Sequence, residues 1–127
     1  MFETKTKGIR IVATPEFIPE RSDLENGQFF FSYQIDIFNE GEQTVQLVSR
    51  HWIITDANGK VEEVEGPGVI GEQPILKPGE HFTYTSFCPL TTEVGSMRGT
   101  YQMVSEEEGN FDVVNPTFTL ALPNSLN

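Results

Sequence analysis

The chain has 127 residues, 37% of them hydrophobic, and its 8 basic against 19 acidic side chains give a formal net charge of −11. A chain of this length buries one core, so a single domain over residues 1–127 is expected. The negative field repels phosphate backbones and anionic headgroups, which argues against nucleic acid and membrane surfaces as partners, and no apolar run reaches membrane-spanning length. The N-terminal MFETKTKGIR lacks the apolar stretch of a secretion signal, and the single cysteine, Cys88, has no internal disulfide partner. Both features point to a reducing cytoplasm.

In chain order, Gly8 to Ala13 (GIRIVA) is β-branched and apolar. Pro15 and Pro19 are expected to end it early, which predicts a short, edge-type first strand. Arg21 to Gly27 is a polar, turn-rich connection. From Gln28 to Phe38, Phe29, Phe31, Tyr33, Ile35 and Ile37 alternate with Phe30, Ser32, Gln34, Asp36 and Phe38, a period of two whose odd positions belong in the core. After a turn at Asn39 to Glu42, Thr44 to Thr55 resumes a β-rich run in which alternation breaks between Val48 and Trp52. A bend or bulge near Ser49 to His51 is predicted there. Asp56-Ala57-Asn58-Gly59 has turn chemistry, with Asn58-Gly59 suited to positive φ, and Lys60 to Glu65 is its hairpin partner.

Leu76 to Glu80 is a further turn, launching a strand from His81 to Phe87 with Phe82 and Tyr84 on one side. Ser96 to Ser105 alternates again, with Met97, Gly99, Tyr101 and Met103 facing one way. Glu106 to Asn110 suits a solvated hairpin loop, and Phe111 to Leu122 reads as one last strand interrupted at Pro116, with Phe118, Leu120 and Leu122 inward. No window sustains a helical period. The fold class is therefore all-β: an antiparallel sandwich, immunoglobulin or fibronectin type III-like, of about seven or eight strands. Disulfide-bonded sandwiches of that kind carry a core Trp on the third strand and a Tyr two residues before the second Cys. Trp52 and Tyr101, the latter two residues before Met103, occupy comparable places. Tyr101 is predicted to be buried with its hydroxyl bonded to nearby backbone, because an unpaired buried hydroxyl costs about 1–3 kcal/mol.

Five motifs in order resemble the ApaG family: YQIDIFNEG at Tyr33 to Gly41, SRHWIITDANG at Ser49 to Gly59, EGPGVIGEQP at Glu65 to Pro74, LKPGEHFTYTS at Leu76 to Ser86, and GSMRGTYQM at Gly95 to Met103. The resemblance covers nearly the whole chain. It implies a small bacterial cytosolic protein with a fibronectin type III-like sandwich, of undefined biochemical activity. It also implies a link to cobalt tolerance and magnesium efflux, and to a domain that serves as a partner-binding module in some eukaryotic F-box proteins. The chain departs from the family pattern at Phe87-Cys88 and at Glu93, where relatives tend to carry glycine and proline.

The stretch from Arg50 to Pro74 holds the chain's one Trp and a G-x-G-x-x-G spacing at Gly66, Gly68 and Gly71. That spacing cradles a pyrophosphate only between a strand and a helix N-terminus. Here Pro74 follows closely, no helical period begins, and Asp56 to Glu72 carries five acidic residues against one Lys. The glycines are expected to serve turns and close strand approach. His51 and His81 lack an i, i+4 partner and a Cys pair, so no metal-ligand set is expected. Asp56, Glu62, Glu63, Glu65 and Glu72 read as a solvated acidic face that attracts Mg²⁺ or Co²⁺ only weakly. No cofactor is implied and no catalytic residues stand out, since Ser96 lies in G-S-M-R-G rather than G-x-S-x-G, and Cys88 and His81 fall on opposite faces of a strand.

Two functions remain open. The first is a non-enzymatic protein-interaction module whose partner surface comprises Arg50, His51, Trp52, Gly66, Gly68, Gly71, Glu72 and Gln73, with exposed sheet edges also able to pair two copies. The second is a small-ligand protein that binds Mg-pyrophosphate or a dinucleoside polyphosphate at the Gly66 to Gly71 loop, Mg²⁺ supplying the missing positive charge.

Overall fold

In the computed structural model, which describes residues 2–123, the chain forms strands β1 Phe2–Thr6, β2 Ile9–Phe17, β3 Phe29–Asn39, β4 Val45–Asp56, β5 Val61–Pro67, β6 Ile75–Leu76, β7 His81–Leu90, β8 Val94–Ser105, β9 Gly109–Val114 and β10 Phe118–Ala121. The one helical element among the described residues is a 3₁₀ turn at Pro19–Arg21, so no helix there is long and apolar enough to cross a membrane. All strand pairs are antiparallel. One sheet runs β1-β2-β3-β7; the other runs β10-β8-β4-β5, with β6 added to β4 and β9 to β8. The two sheets close over one apolar core.

The ten strands exceed the expected seven or eight. β1 has a single apolar residue and β6 is only two residues long, so neither shows a period of its own, and the stretch after Glu108 divides into two strands that line the same edge of β8. β2 is neither an edge nor short, because it lies between β1 and β3 and passes through Pro15 to Phe17. β1 has ended before that point, pairing only as far as Ala13, so the missing proline N–H falls where β2 has an open side. The bulge sits one residue earlier than expected, between Leu47 and Ser49. In the hairpin turn, Gly59 has φ of +82° and is the one residue of the Asn58-Gly59 pair in the left-handed region.

The period-two run of β3 points Phe29, Phe31, Tyr33, Ile35 and Ile37 inward as its alternation demands. From the facing sheet, Trp52 meets Tyr33, Tyr101 and Phe118 edge-on or tilted, at centroid separations of 5.8–5.9 Å for its own three pairs. Each fully buried side chain of this size contributes about 1.5–3 kcal/mol. Tyr101 is fully buried, but its hydroxyl bonds to the hydroxyl of Tyr84 rather than to nearby backbone. Tyr84 projects from β7 of the opposite sheet, so the expected local bond is replaced by one that joins the two layers across the core. Burial raises the phenol pKa of Tyr33, Tyr84 and Tyr101 above the ordinary value of 10.0. Gly99, opposite Trp52, brings β8 against β4 so closely that a Cβ there would stand 1.9 Å from the His51 carbonyl oxygen.

Candidate functional site

The stretch from Arg50 to Pro74 folds as the β4–β5 hairpin at one edge of the larger sheet, continued by a loop that returns to β4 as β6. Asp56 closes the hairpin by accepting hydrogen bonds at Oδ1 from the amides of Asn58, 2.8 Å away, and Lys60, 3.0 Å away. This sets the register that pairs Arg50 with Gly66, His51 with Glu65 and Ile53 with Glu63. The bulge after Leu47 resets the parity of β4, turning Arg50 and Trp52 toward the core side and Ser49 and His51 outward.

Each glycine of the G-x-G-x-x-G spacing has a structural task. At Gly66 the Arg50 guanidinium lies where a side chain would begin, with Nη1 3.0 Å from the position of a Cβ. From there Arg50 donates to the carbonyls of Pro67 at 3.1 Å and Gly68 at 3.0 Å, pinning the loop to β4. Gly68 has φ of +60°, and a Cβ would stand 2.1 Å from the carbonyl oxygen of Glu72. Val69 and Glu72 exchange backbone hydrogen bonds of 2.8 and 2.9 Å around a two-residue turn, Ile70-Gly71, with φ of +42° and +79°. That is the turn type in which both central residues are left-handed. Val69 is fully buried and anchors the loop in the core. The Gly68 amide donates to Val48 O at 2.8 Å, and Gln73 Nε2 donates to the same carbonyl at 2.9 Å.

The loop's amides are therefore committed inward at Gly68, Val69 and Glu72, and no helix follows to add a dipole. A pyrophosphate cradle needs such amides free and converging. What the loop offers outward is Ile70, 55% exposed at the tip. A β-branched residue in the left-handed region is a rare and strained choice.

Trp52 is the core Trp that the sandwich pattern implies and does not belong to the candidate partner surface in which the sequence reading also includes it. It is 2% exposed, because the parity reset at the bulge turns it inward and presents its neighbour His51 instead. On the outer face, His51 Nε2 lies 2.8 Å from Glu63 Oε1 and 3.4 Å from Glu65 Oε1. The three donor atoms fall within 4.8 Å of one another, a convergence invisible to a search for i, i+4 ligands. It follows from the register: the hairpin closes at Asp56 and Lys60, which pairs position 51 with 65 and puts 63 on the same face. Beside it, Ser49, Gly66 and Gln102 line a shallow open depression with His51 and Glu65. Ser49 Oγ donates to Gln102 Oε1 at 2.8 Å and so has no base to activate it.

The other histidine sits on the outer face of the smaller sheet. Thr83 Oγ1 approaches Asp36 Oδ1 at 2.6 Å and His81 Nε2 at 2.7 Å, while His81 Nε2 is 3.2 Å from Asp36 Oδ1. Burial by itself pushes the Asp36 carboxyl up, but the hydrogen bonds from Thr83, His81 and Gln34 outweigh it and hold the group below its ordinary value. Both contacts to the ring fall on one imidazole nitrogen, whereas a hydroxyl–imidazole–carboxylate relay uses one nitrogen for each partner. Cys88 is buried on the opposite, inner face, and burial pushes its thiol up to about 11.

A family model described as the ApaG domain matches residues 19–105. The chain is 57% identical to Protein ApaG of Anaeromyxobacter dehalogenans over 122 residues, covering 96% of each chain. It is 54% identical to Protein ApaG of Beijerinckia indica, covering 97% of this chain and 95% of that one. Among solved structures it is similar to a Bordetella pertussis protein described as ApaA, with a TM-score of 0.89 and 48% identity over 92% of this chain and 95% of that one.

Proposed function

This chain belongs to the ApaG family, and on that footing we propose that it is a non-enzymatic protein-interaction module, cytoplasmic, with the Pro67 to Pro74 loop as its contact surface. The strands support a fibronectin type III-like kind of sandwich, with β2, β3 and β7 facing β9, β8, β4 and β5. Ile70 carries the proposal. Folding alone favours Gly, Asn or Asp at the first central position of this turn, and an exposed Ile there gives up about 1–2 kcal/mol of backbone energy. An apolar tip held out on a rigid, core-anchored loop has a use when a partner buries it. Ile75, 61% exposed on the returning β6, lengthens the same apolar margin.

Pairing of two copies through the free edge of β5 is disfavoured. Antiparallel pairing about Val64 sets Glu63 of one copy against Glu65 of the other, and like charges directly opposite are destabilising. The inward commitment of the loop amides weighs against the pyrophosphate alternative.

Affinity capture with the whole chain tests the module directly, using Ile70→Asn as the comparison because Asn tolerates the left-handed turn. One stoichiometric protein partner is expected on the unmodified chain and its loss on the variant, with folding unchanged by Trp52 fluorescence. Retention of the same partner by Ile70→Asn refutes the contact surface. Chemical-shift changes at Gly66, Gly68 and Gly71 on adding pyrophosphate with Mg²⁺, and not without it, establish the small-ligand function in its place.

A further inference from the structure

We propose that His51, Glu63 and Glu65 form a surface site for a borderline divalent transition-metal ion, with Zn²⁺ as the model ligand. The three side chains come from the same face of two paired strands. His51 and Glu65 are directly opposite in register, and Glu63 is the next outward residue of β5. The β4–β5 ladder therefore sets their spacing before any ion arrives, which lowers the ordering cost of binding. Their donors are one imidazole nitrogen and two carboxylate oxygens, within 4.8 Å of one another.

Around a tetrahedral Zn²⁺ with bonds of about 2.0–2.1 Å, neighbouring donors stand about 3.3–3.4 Å apart. His51 Nε2 already lies 3.4 Å from Glu65 Oε1, and the 2.8 Å to Glu63 Oε1 opens to that value by a small turn of a glutamate whose side chain is 61% exposed. The three donors take one side of the ion and leave its remaining positions to water or to a group on a partner. Two carboxylates balance the 2+ charge, and the imidazole favours a borderline ion over Mg²⁺, which prefers oxygen donors and keeps its water.

The charge setting is consistent with this. Among the described residues, neither Glu63 nor Glu65 pairs with a Lys or Arg, and the one basic side chain against them is His51. Arg98, which lies two strands away opposite Ile53, makes no ion pair with either glutamate. Two like charges on alternate residues of one exposed strand repel unless something cationic sits between them. An ion held by His51 and the two glutamates fills that role.

The test is a ¹⁵N NMR titration of the full chain with ZnCl₂, following the imidazole nitrogens and the strand amides, beside a parallel titration with MgCl₂. Zn²⁺ is expected to shift His51 Nε2 and the amides of Glu63 and Glu65 together at one ion per chain, leaving the His81 ring unmoved. Glu63→Gln and Glu65→Gln should each weaken the response by about tenfold or more, and His51→Asn should remove it. All three residues are on an outward face, and unchanged Trp52 fluorescence confirms that each variant is folded. An unmoved His51 ring means that the ion does not bind at the cluster and overturns the site. So does an undiminished response in Glu65→Gln, or an equal response to Mg²⁺, either of which marks diffuse attraction to an acidic face. Failure of partner capture at Ile70 leaves this outcome untouched, since the titration uses the ion alone.

Discussion

The hydroxyl pair between Tyr84 and Tyr101 is a buried polar link between the two sheets. Both side chains are buried, at 5% and 0% exposure, so neither hydroxyl can turn to bulk water when its partner is removed. Substituting either tyrosine with Phe strands the other hydroxyl, at a cost of about 1–3 kcal/mol. Removing both leaves an apolar contact of nearly the same shape, which is close to neutral. With each single variant costing about 1–3 kcal/mol and the double variant near neutral, a double-mutant cycle should therefore show a coupling of about 2–6 kcal/mol, with Tyr84→Phe/Tyr101→Phe more stable than the two single costs predict by addition. The single variants should also differ. The Trp52 indole N–H lies near the Tyr84 hydroxyl and is buried without a hydrogen-bond partner. In Tyr101→Phe the remaining Tyr84 hydroxyl can accept from that indole, so this variant should fall at the lower end of the range. Tyr84→Phe leaves Tyr101 alone and should fall at the upper end. Urea unfolding followed by Trp52 fluorescence measures all four corners, because the indole packs edge-on against the Tyr101 ring at 5.9 Å. Strict additivity refutes the reasoning, for it means that each hydroxyl has an independent partner.

The raised phenol and thiol pKa values set the alkaline limit. Tyr33, Tyr84, Tyr101 and Cys88 all have folded values above their unfolded ones, so their neutral forms contribute stability that is complete below about pH 9 and is lost as pH rises past 9.0 for the thiol and 10.0 for the phenols. Tyrosinate absorbance and loss of β-sheet circular dichroism should rise together above pH 10; buried tyrosines that titrate while the sheet signal is intact refute this. Gly99→Ala should destabilise by more than about 3 kcal/mol, since its Cβ would meet the backbone oxygen of His51 at 1.9 Å and the two central strands would have to part. Stability within about 0.5 kcal/mol of the parent in a urea titration contradicts that close approach. Cys88, buried with its thiol raised to about 11, should react with a disulfide reagent at pH 8 only as fast as the chain opens. A rapid stoichiometric reaction in the native state places the thiol at the surface instead.

Residue pattern alone determined the class of this fold, because strand periodicity is a local property. The odd positions of β3 and the run Met97, Gly99, Tyr101, Met103 each declare a buried face without reference to any other strand. The absence of a helical period and the ordered ApaG-like motifs were legible in the same way, as was the failure of the glycine spacing to meet its helix. Tertiary structure decided what depends on register. The pairing of β4 with β8 fixed the bulge at one residue earlier than expected, and with it the outward place of His51 beside the inward Trp52. The hydroxyl of Tyr101 finds Tyr84 seventeen residues away in sequence, across the space between the layers. His51, Glu63 and Glu65 meet only because the Asp56 to Lys60 turn fixes one pairing of β4 with β5. Alternation tells each residue which side it takes, and only the packed sheets tell it which side chain it meets there.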